Sequence, residues 1–191
     1  MNKFTLLFLI LAAFLIFVTY TSDYVPPESA TQESPGELYS SQASYTADYE
    51  STGGSGASTT RHFVDSPKFA IEITSQDSLT KSVYDGESFF MCINSGAGWN
   101  CYEMPPSMAS PPDIRASVAG GKLTAEYIGA CSAAGESGKK FRLTNALGDE
   151  TISCYTDDGI LLQTEGRGAS MKATSIARAV PADAFTLPAQ P

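Results

Sequence analysis

The chain holds one histidine, His62, and four cysteines, Cys92, Cys101, Cys131 and Cys154, and these five side chains bound the chemistry open to it. A serine or cysteine nucleophile activated by histidine needs that histidine inside a built site. His62 stands at the start of the strand-rich part of the sequence and reads as a solvated boundary residue. A single histidine also rules out a multi-histidine metal centre. Cys92 and Cys101 are too far apart for C-x-x-C redox or zinc chemistry. The acidic pairs Asp149-Glu150 and Asp157-Asp158 are of the types used in glycoside hydrolysis or calcium binding. Both sit in turn-forming stretches, LGDE and TDDG, where aspartate is favoured for its backbone hydrogen bonds. Gly120-Gly121 is an ordinary turn, not a phosphate-cradling loop. No catalytic residue, metal ligand or cofactor is therefore assigned, and the chain reads as a non-enzyme.

The cysteines are better explained by the hairpin that positions two of them. From Glu87 to Met104 the sequence runs ESFFMCINSGAGWNCYEM, two apolar arms around Ser95-Gly96-Ala97-Gly98. A turn centred between Gly96 and Ala97 sets Cys92 opposite Cys101, within disulfide reach across an antiparallel ladder. Phe89, Met91, Ile93, Tyr102 and Met104 then share one face, while Phe90, Trp99 and both cysteines take the other. By elimination Cys131 bonds Cys154. If Lys139–Asn145 lies between their strands, that bond requires Cys131 to sit in the loop leaving its strand.

Further strands flank the hairpin. Phe69, Ile71 and Ile73 alternate with Ala70, Glu72 and Thr74. Asp85-Gly86 joins Leu79–Tyr84 to Glu87–Ile93, and Asp158-Gly159 reads as a type I′ turn between Thr151–Thr156 and Ile160–Glu165. Lys122–Cys131, Lys139–Asn145 and Ala169–Ala179 complete the set, with Phe185 and Leu187 as plugs in the final Pro181–Pro188 segment. Met104–Pro112, MPPSMASPP, breaks the sheet as a loop or short cover. Eight or nine short strands over residues 61–191 predict a mostly β domain, an antiparallel sheet strongly curved or closed into a barrel or β-sandwich.

Two other segments precede the expected domain. Phe4–Tyr20 is an uncharged apolar run of 17 residues behind Lys3, suited to a single-pass signal anchor over residues 1–21 or, alternatively, a cleaved secretory signal. Either places the rest outside the cytoplasm, where disulfides persist. Residues 22–60 are rich in Ser, Thr, Gly and Pro with only acidic charges, and read as a disordered stalk ending at Gly53-Gly54-Ser55-Gly56. The whole chain carries 12 basic and 21 acidic side chains, which offers no basic stripe for nucleic acid.

The C-terminal stretch CYTDDGILLQTEGRG, followed by ASMKATSIARAVPADAFTLP, resembles the end of the LolA/LppX-like lipoprotein-carrier half-barrels. The matching positions are Asp158, Gly159, Ile160, Leu161 and Leu162, then Phe185, Leu187 and Pro188. The resemblance implies a single curved antiparallel sheet whose concave apolar face holds acyl chains. The sequence departs from that pattern in having a stalk where the family has an opening helix, and no evident lid helices.

Together these readings give a membrane-anchored extracytoplasmic domain holding a lipid or other apolar ligand. The expected ligand face comprises Phe69, Ile71, Ile73, Phe89, Met91, Ile93, Tyr102 and Met104. The alternative is a structural or interaction module of the cell envelope with a protein partner and no small ligand.

Overall fold

The computed structural model describes residues 44–191 except 54–55, 77, 110–116 and 119. The expected anchor and most of the expected stalk lie outside the described residues. Among the described residues no helix is long and apolar enough to cross a membrane.

Eleven strands form one antiparallel sheet. They are β1 (Tyr45–Gly53), β2 (Gly56–Asp65), β3 (Lys68–Ser75), β4 (Ser78–Tyr84), β5 (Phe89–Asn94), β6 (Trp99–Met104), β7 (Leu123–Ala133), β8 (Glu136–Asn145), β9 (Glu150–Tyr155), β10 (Leu161–Gly166) and β11 (Ala169–Ala177). Their spatial order is β6-β5-β4-β3-β2-β1-β11-β10-β9-β8-β7. The chain starts mid-sheet, meanders to one edge at β6, crosses to the other edge at β7, and meanders back until β11 pairs with β1. The edge strands β6 and β7 do not pair with each other, so the sheet is not closed into a barrel, and among the described residues no second sheet makes a sandwich.

The strand count exceeds the expected eight or nine because the stalk assignment is wrong over its last part. Tyr45–Gly53 is β1 and β2 starts at Gly56, so the domain does not begin at 61. Tyr45, Ala47 and Tyr49 alternate with Thr46, Asp48 and Glu50, and the first three are buried. This is a period-two pattern hidden in small and polar residues. Gly53 pairs with Gly56, so the glycine-rich tract is the β1–β2 hairpin connection and not a domain boundary.

Several turns have identifiable causes. Ala134-Gly135 and Arg167-Gly168 have positive φ at both central residues (51° and 79°, 50° and 75°), which is the type I′ requirement. Asp158-Gly159 is different, because only Gly159 has positive φ. There Gly159 N–H donates to the Thr156 carbonyl at 3.0 Å, and Thr156 N–H donates to the Ile160 carbonyl at 2.9 Å. The connection is therefore one residue longer than a type I′ hairpin. Asp85 closes the β4–β5 turn by accepting from the N–H groups of Glu87 and Ser88, both at 2.9 Å.

One face of the sheet, here the inner face, carries the main core. Tyr45, Ala47, Tyr49, Val64, Phe69, Phe89, Ala125, Phe141, Leu143, Tyr155, Leu161 and Ala173 are buried in one cluster drawn from nine strands. The β6–β7 connection contributes a 3-10 turn at Pro106–Met108, and Met108, Ala109 and Val118 pack on this cluster. The outer face is covered locally by the C-terminal tail, where Ala184, Val180, Phe185 and Leu187 pack on Phe63, Ala70 and Val83.

Both disulfides are present. Cys92 and Cys101 face each other in the β5–β6 ladder, with Cα atoms 4.0 Å apart. Cys131 and Cys154 are bonded with Cα atoms 6.2 Å apart, although β8 lies between their strands. Cys131 lies within β7, not in a loop beyond it. The register slips between Tyr127 and Gly129, a bulge that strengthens local twist. Opposite Cys131 stands Gly138, where a Cβ would collide with the Tyr155 carbonyl and lie 2.9 Å from Leu162 Cδ1. The bare glycine lets the β7–β8 hairpin fold close over the end of β9, bringing the sulfurs together.

Candidate functional site

The inner face of β1–β6 is built from three cross-strand rows. The first is Tyr45, Val64, Phe69, Tyr84, Phe89 and Met104. The second is Ala47, His62, Ile71, Ser82, Met91 and Tyr102, and the third is Tyr49, Thr60, Ile73, Thr80, Ile93 and Asn100. All eight residues expected on the ligand face fall in these rows, as their alternation requires.

They do not all have the same surroundings. Phe69 and Phe89 are buried, and their rings pack together at 6.4 Å, with Tyr84 5.6 Å from Phe69. These two form the floor of the core. Ile71, Ile73, Met91, Ile93 and Met104 are half-buried, and Tyr102 is 56% exposed at the sheet edge. The open apolar surface therefore lies in the second and third rows, over β3–β6. At about 4.8 Å per strand, β2 to β6 spans about 19 Å.

Charge is sorted completely across these six strands. No Asp, Glu, Lys or Arg occupies the inner rows, whereas Asp48, Glu50, Arg61, Asp65, Lys68, Glu72, Lys81 and Glu103 all alternate to the outer face. Outer-face charges find partners there, as Arg61 does with Asp48, and Lys81 with Glu72 at 3.1 Å. The hydrogen bond from Arg61 holds the Asp48 carboxyl below its usual range.

His62 was expected at a solvated boundary, and the structure corrects this. It lies in β2 between Ala47 and Ile71, is 6% exposed, and its ring lies 4.7 Å from that of Tyr49. Its Nδ1 is buried without a hydrogen-bond partner. Burial pulls its pKa down to about 4, so the imidazole is neutral at neutral pH. Burial also pushes the Tyr49 hydroxyl up, and that hydroxyl donates to the Leu161 carbonyl at 3.0 Å. The alternation Thr60, His62, Val64 was readable, but placing the domain start at 61 cut the strand in two. Thr60, Thr80 and Ser82, the hydroxyls interleaved with the aliphatic residues, were missed because they are polar and looked outward-facing.

The acidic pairs have structural partners. Asp149 meets Arg167, Glu150 lies 3.8 Å from Arg142, Asp157 lies 3.1 Å from Lys139, and Asp158 lies 3.0 Å from Arg178. Arg178 also reaches Glu136 at 2.6 Å, tying the β7–β8 turn to the β9–β10 turn. Among the described residues no group of three or more His, Cys, Asp or Glu is placed to hold a metal ion.

No family model matches the chain, and no curated protein is similar to it. Solved structures do resemble it. The MucA/MucB complex of Pseudomonas aeruginosa aligns over 74% of this chain and 54% of that one, at 16% identity and a TM-score of 0.53. A crystal structure of MucB aligns over 81% of this chain and 59% of that one, at 13% identity and a TM-score of 0.45. A LolA superfamily protein from Nitrosomonas europaea aligns over 81% and 95%, at 11% identity and a TM-score of 0.35. The chain thus spans little more than half the length of the MucB structures. At these identities the likeness is one of fold alone, and the MucA/MucB alignment at a TM-score of 0.53 is what carries it for this open antiparallel sheet.

Proposed function

We propose that this chain is a non-catalytic binding domain of the cell envelope that holds a lipid or other apolar ligand against the inner face of β3–β6. The observation that carries this reading is the charge-free inner face, with Ile71, Ile73, Met91 and Ile93 half-buried side by side in two adjacent rows. Burying further apolar surface there is favourable at about 25 cal/mol per Å². The LolA-type fold supports the reading, and so do two disulfides, which persist outside the reducing cytoplasm. The apolar segment Phe4–Tyr20 supplies the membrane anchor, with the folded domain outside the cytoplasm.

The test is native mass spectrometry and solvent extraction of the full chain purified from a membrane fraction. Wild type is expected to carry an extractable apolar molecule, and Met91→Glu is expected to lose it while remaining folded. A wild-type domain that is empty and takes up no added lipid refutes the proposal.

A second reading rests on Tyr102, 56% exposed on edge strand β6. An exposed aromatic on an open edge suits strand addition by an envelope protein. MucB is seen in complex with MucA. Photocrosslinking from position 102 in cell envelopes separates the two readings, since only this one yields a protein adduct.

A further inference from the structure

We infer that the ligand of the inner face is uncharged and carries a hydroxyl or amide group that hydrogen-bonds to His62 Nδ1. This rests on the apolar-ligand reading above and narrows it to a chemical class.

Two independent observations converge on this class. The first is the unpaired atom itself. His62 is more than nine-tenths buried, yet Nδ1 has no partner. Buried polar atoms are paired in folded proteins, and an orphan with no partner among the described residues is open to one supplied by a ligand. Tyr49, the ring against His62, makes no hydrogen bond to that nitrogen, and its hydroxyl donates to the Leu161 carbonyl. His62 is also placed to be reached. Its row continues through Ile71, Ser82 and Met91 to exposed Tyr102, so a molecule lying along that row has one end against the imidazole.

The second observation is the absence of charge on the surrounding face. β1 presents Tyr45, Ala47 and Tyr49 beside His62, and β3 presents Phe69, Ile71 and Ile73. No cation of β1–β6 faces inward to receive a carboxylate or phosphate, and no anion to receive an ammonium. An ionic head group buried here would go unpaired, which is strongly unfavourable. A neutral imidazole, by contrast, suits a neutral donor or acceptor. The groups that fit are those of a long-chain alcohol, an acylglycerol or a fatty amide.

The experiment compares hexadecanol, hexadecane and hexadecanoate as probes on the full chain. Wild type is expected to bind hexadecanol about tenfold more tightly than hexadecane, the worth of one good hydrogen bond, and hexadecanoate most weakly. His62→Phe keeps a ring against Tyr49, and is expected to retain hexadecane binding while losing the preference for the alcohol. Because the chain has one histidine, its imidazole nitrogen resonances form a single set in wild type. They are expected to move with hexadecanol and to stay still with hexadecane. Equal binding of alcohol and alkane, tightest binding of hexadecanoate, or unmoved resonances overturns the inference and leaves the apolar-ligand reading standing. Failure to bind hexadecane at all overturns both.

Discussion

His62 makes the stability of the domain depend on pH in a window that lies mostly above the carboxylate shifts. The unfolded imidazole takes up a proton near its ordinary value of 6.5, while burial lowers the folded value to about 4. Between those values the unfolded state binds more protons than the folded state, so stability falls as pH falls. The contribution is fully present above about pH 6.5 and lost by about pH 4. At about 1.4 kcal/mol per pH unit, it amounts to about 3 kcal/mol in all, of which about 2 kcal/mol is gone by pH 5. No discount for solvent screening applies, since His62 is only 6% exposed. Asp48, Asp85, Asp149 and Asp158 also lie below their ordinary value of 3.8, and Glu136 below its ordinary 4.5, so their stabilisation is lost mainly below pH 5. The assay is urea unfolding at steps from pH 7 to pH 5, with tyrosine and tryptophan fluorescence as the readout. His62→Phe is expected to abolish the slope across this range. It should also equal or exceed wild type at pH 7, since it removes an unpaired buried atom. A slope that persists in His62→Phe, or a flat wild-type profile, refutes the reasoning.

Two further perturbations test the architecture. Gly138→Ala drives a Cβ into the Tyr155 carbonyl, which is backbone and cannot easily give, so it is expected to cost about 1–3 kcal/mol and to slow formation of the Cys131–Cys154 bond. Urea midpoints and non-reducing peptide mapping measure both, and an unchanged midpoint counts against the folded-over hairpin. A chain beginning at residue 61 lacks β1 and leaves β11 without its neighbour, whereas one beginning at residue 44 keeps the whole sheet. The shorter chain is expected to show no cooperative unfolding transition, and cooperative unfolding from it would show β1 to be dispensable.

Legibility in the sequence tracked how strongly local pattern constrained each element. The β5–β6 hairpin was readable down to its register, because a short glycine-containing turn between two cysteines leaves one pairing that bonds them. The face shared by Met91, Ile93 and Tyr102 followed from that register. β1 was not read, since its inward residues are Tyr45, Ala47 and Tyr49 among threonine, serine and acid, a composition that also suits a solvated spacer. What makes it a strand is its position between β2 and β11, and β11 comes more than a hundred residues later. The second disulfide was assigned by counting, but its route across β8 depends on the bulge at Tyr127–Gly129 and the bare Gly138, neither of which announces a fold-over locally.

Composition and alternation alone determined that this is an oxidised, acidic, mostly β chain with an apolar hairpin face. These properties are local or additive, and so survive without knowledge of the fold. Only the tertiary structure decided that the domain reaches back to Tyr45, that charge is swept entirely to one side of six strands, and that His62 is buried with an unpaired nitrogen. Each depends on which distant strand lies alongside. Strand pairing over long sequence separations sets the environment of a side chain, and its environment sets whether a histidine is a solvated bystander or the polar end of a binding face.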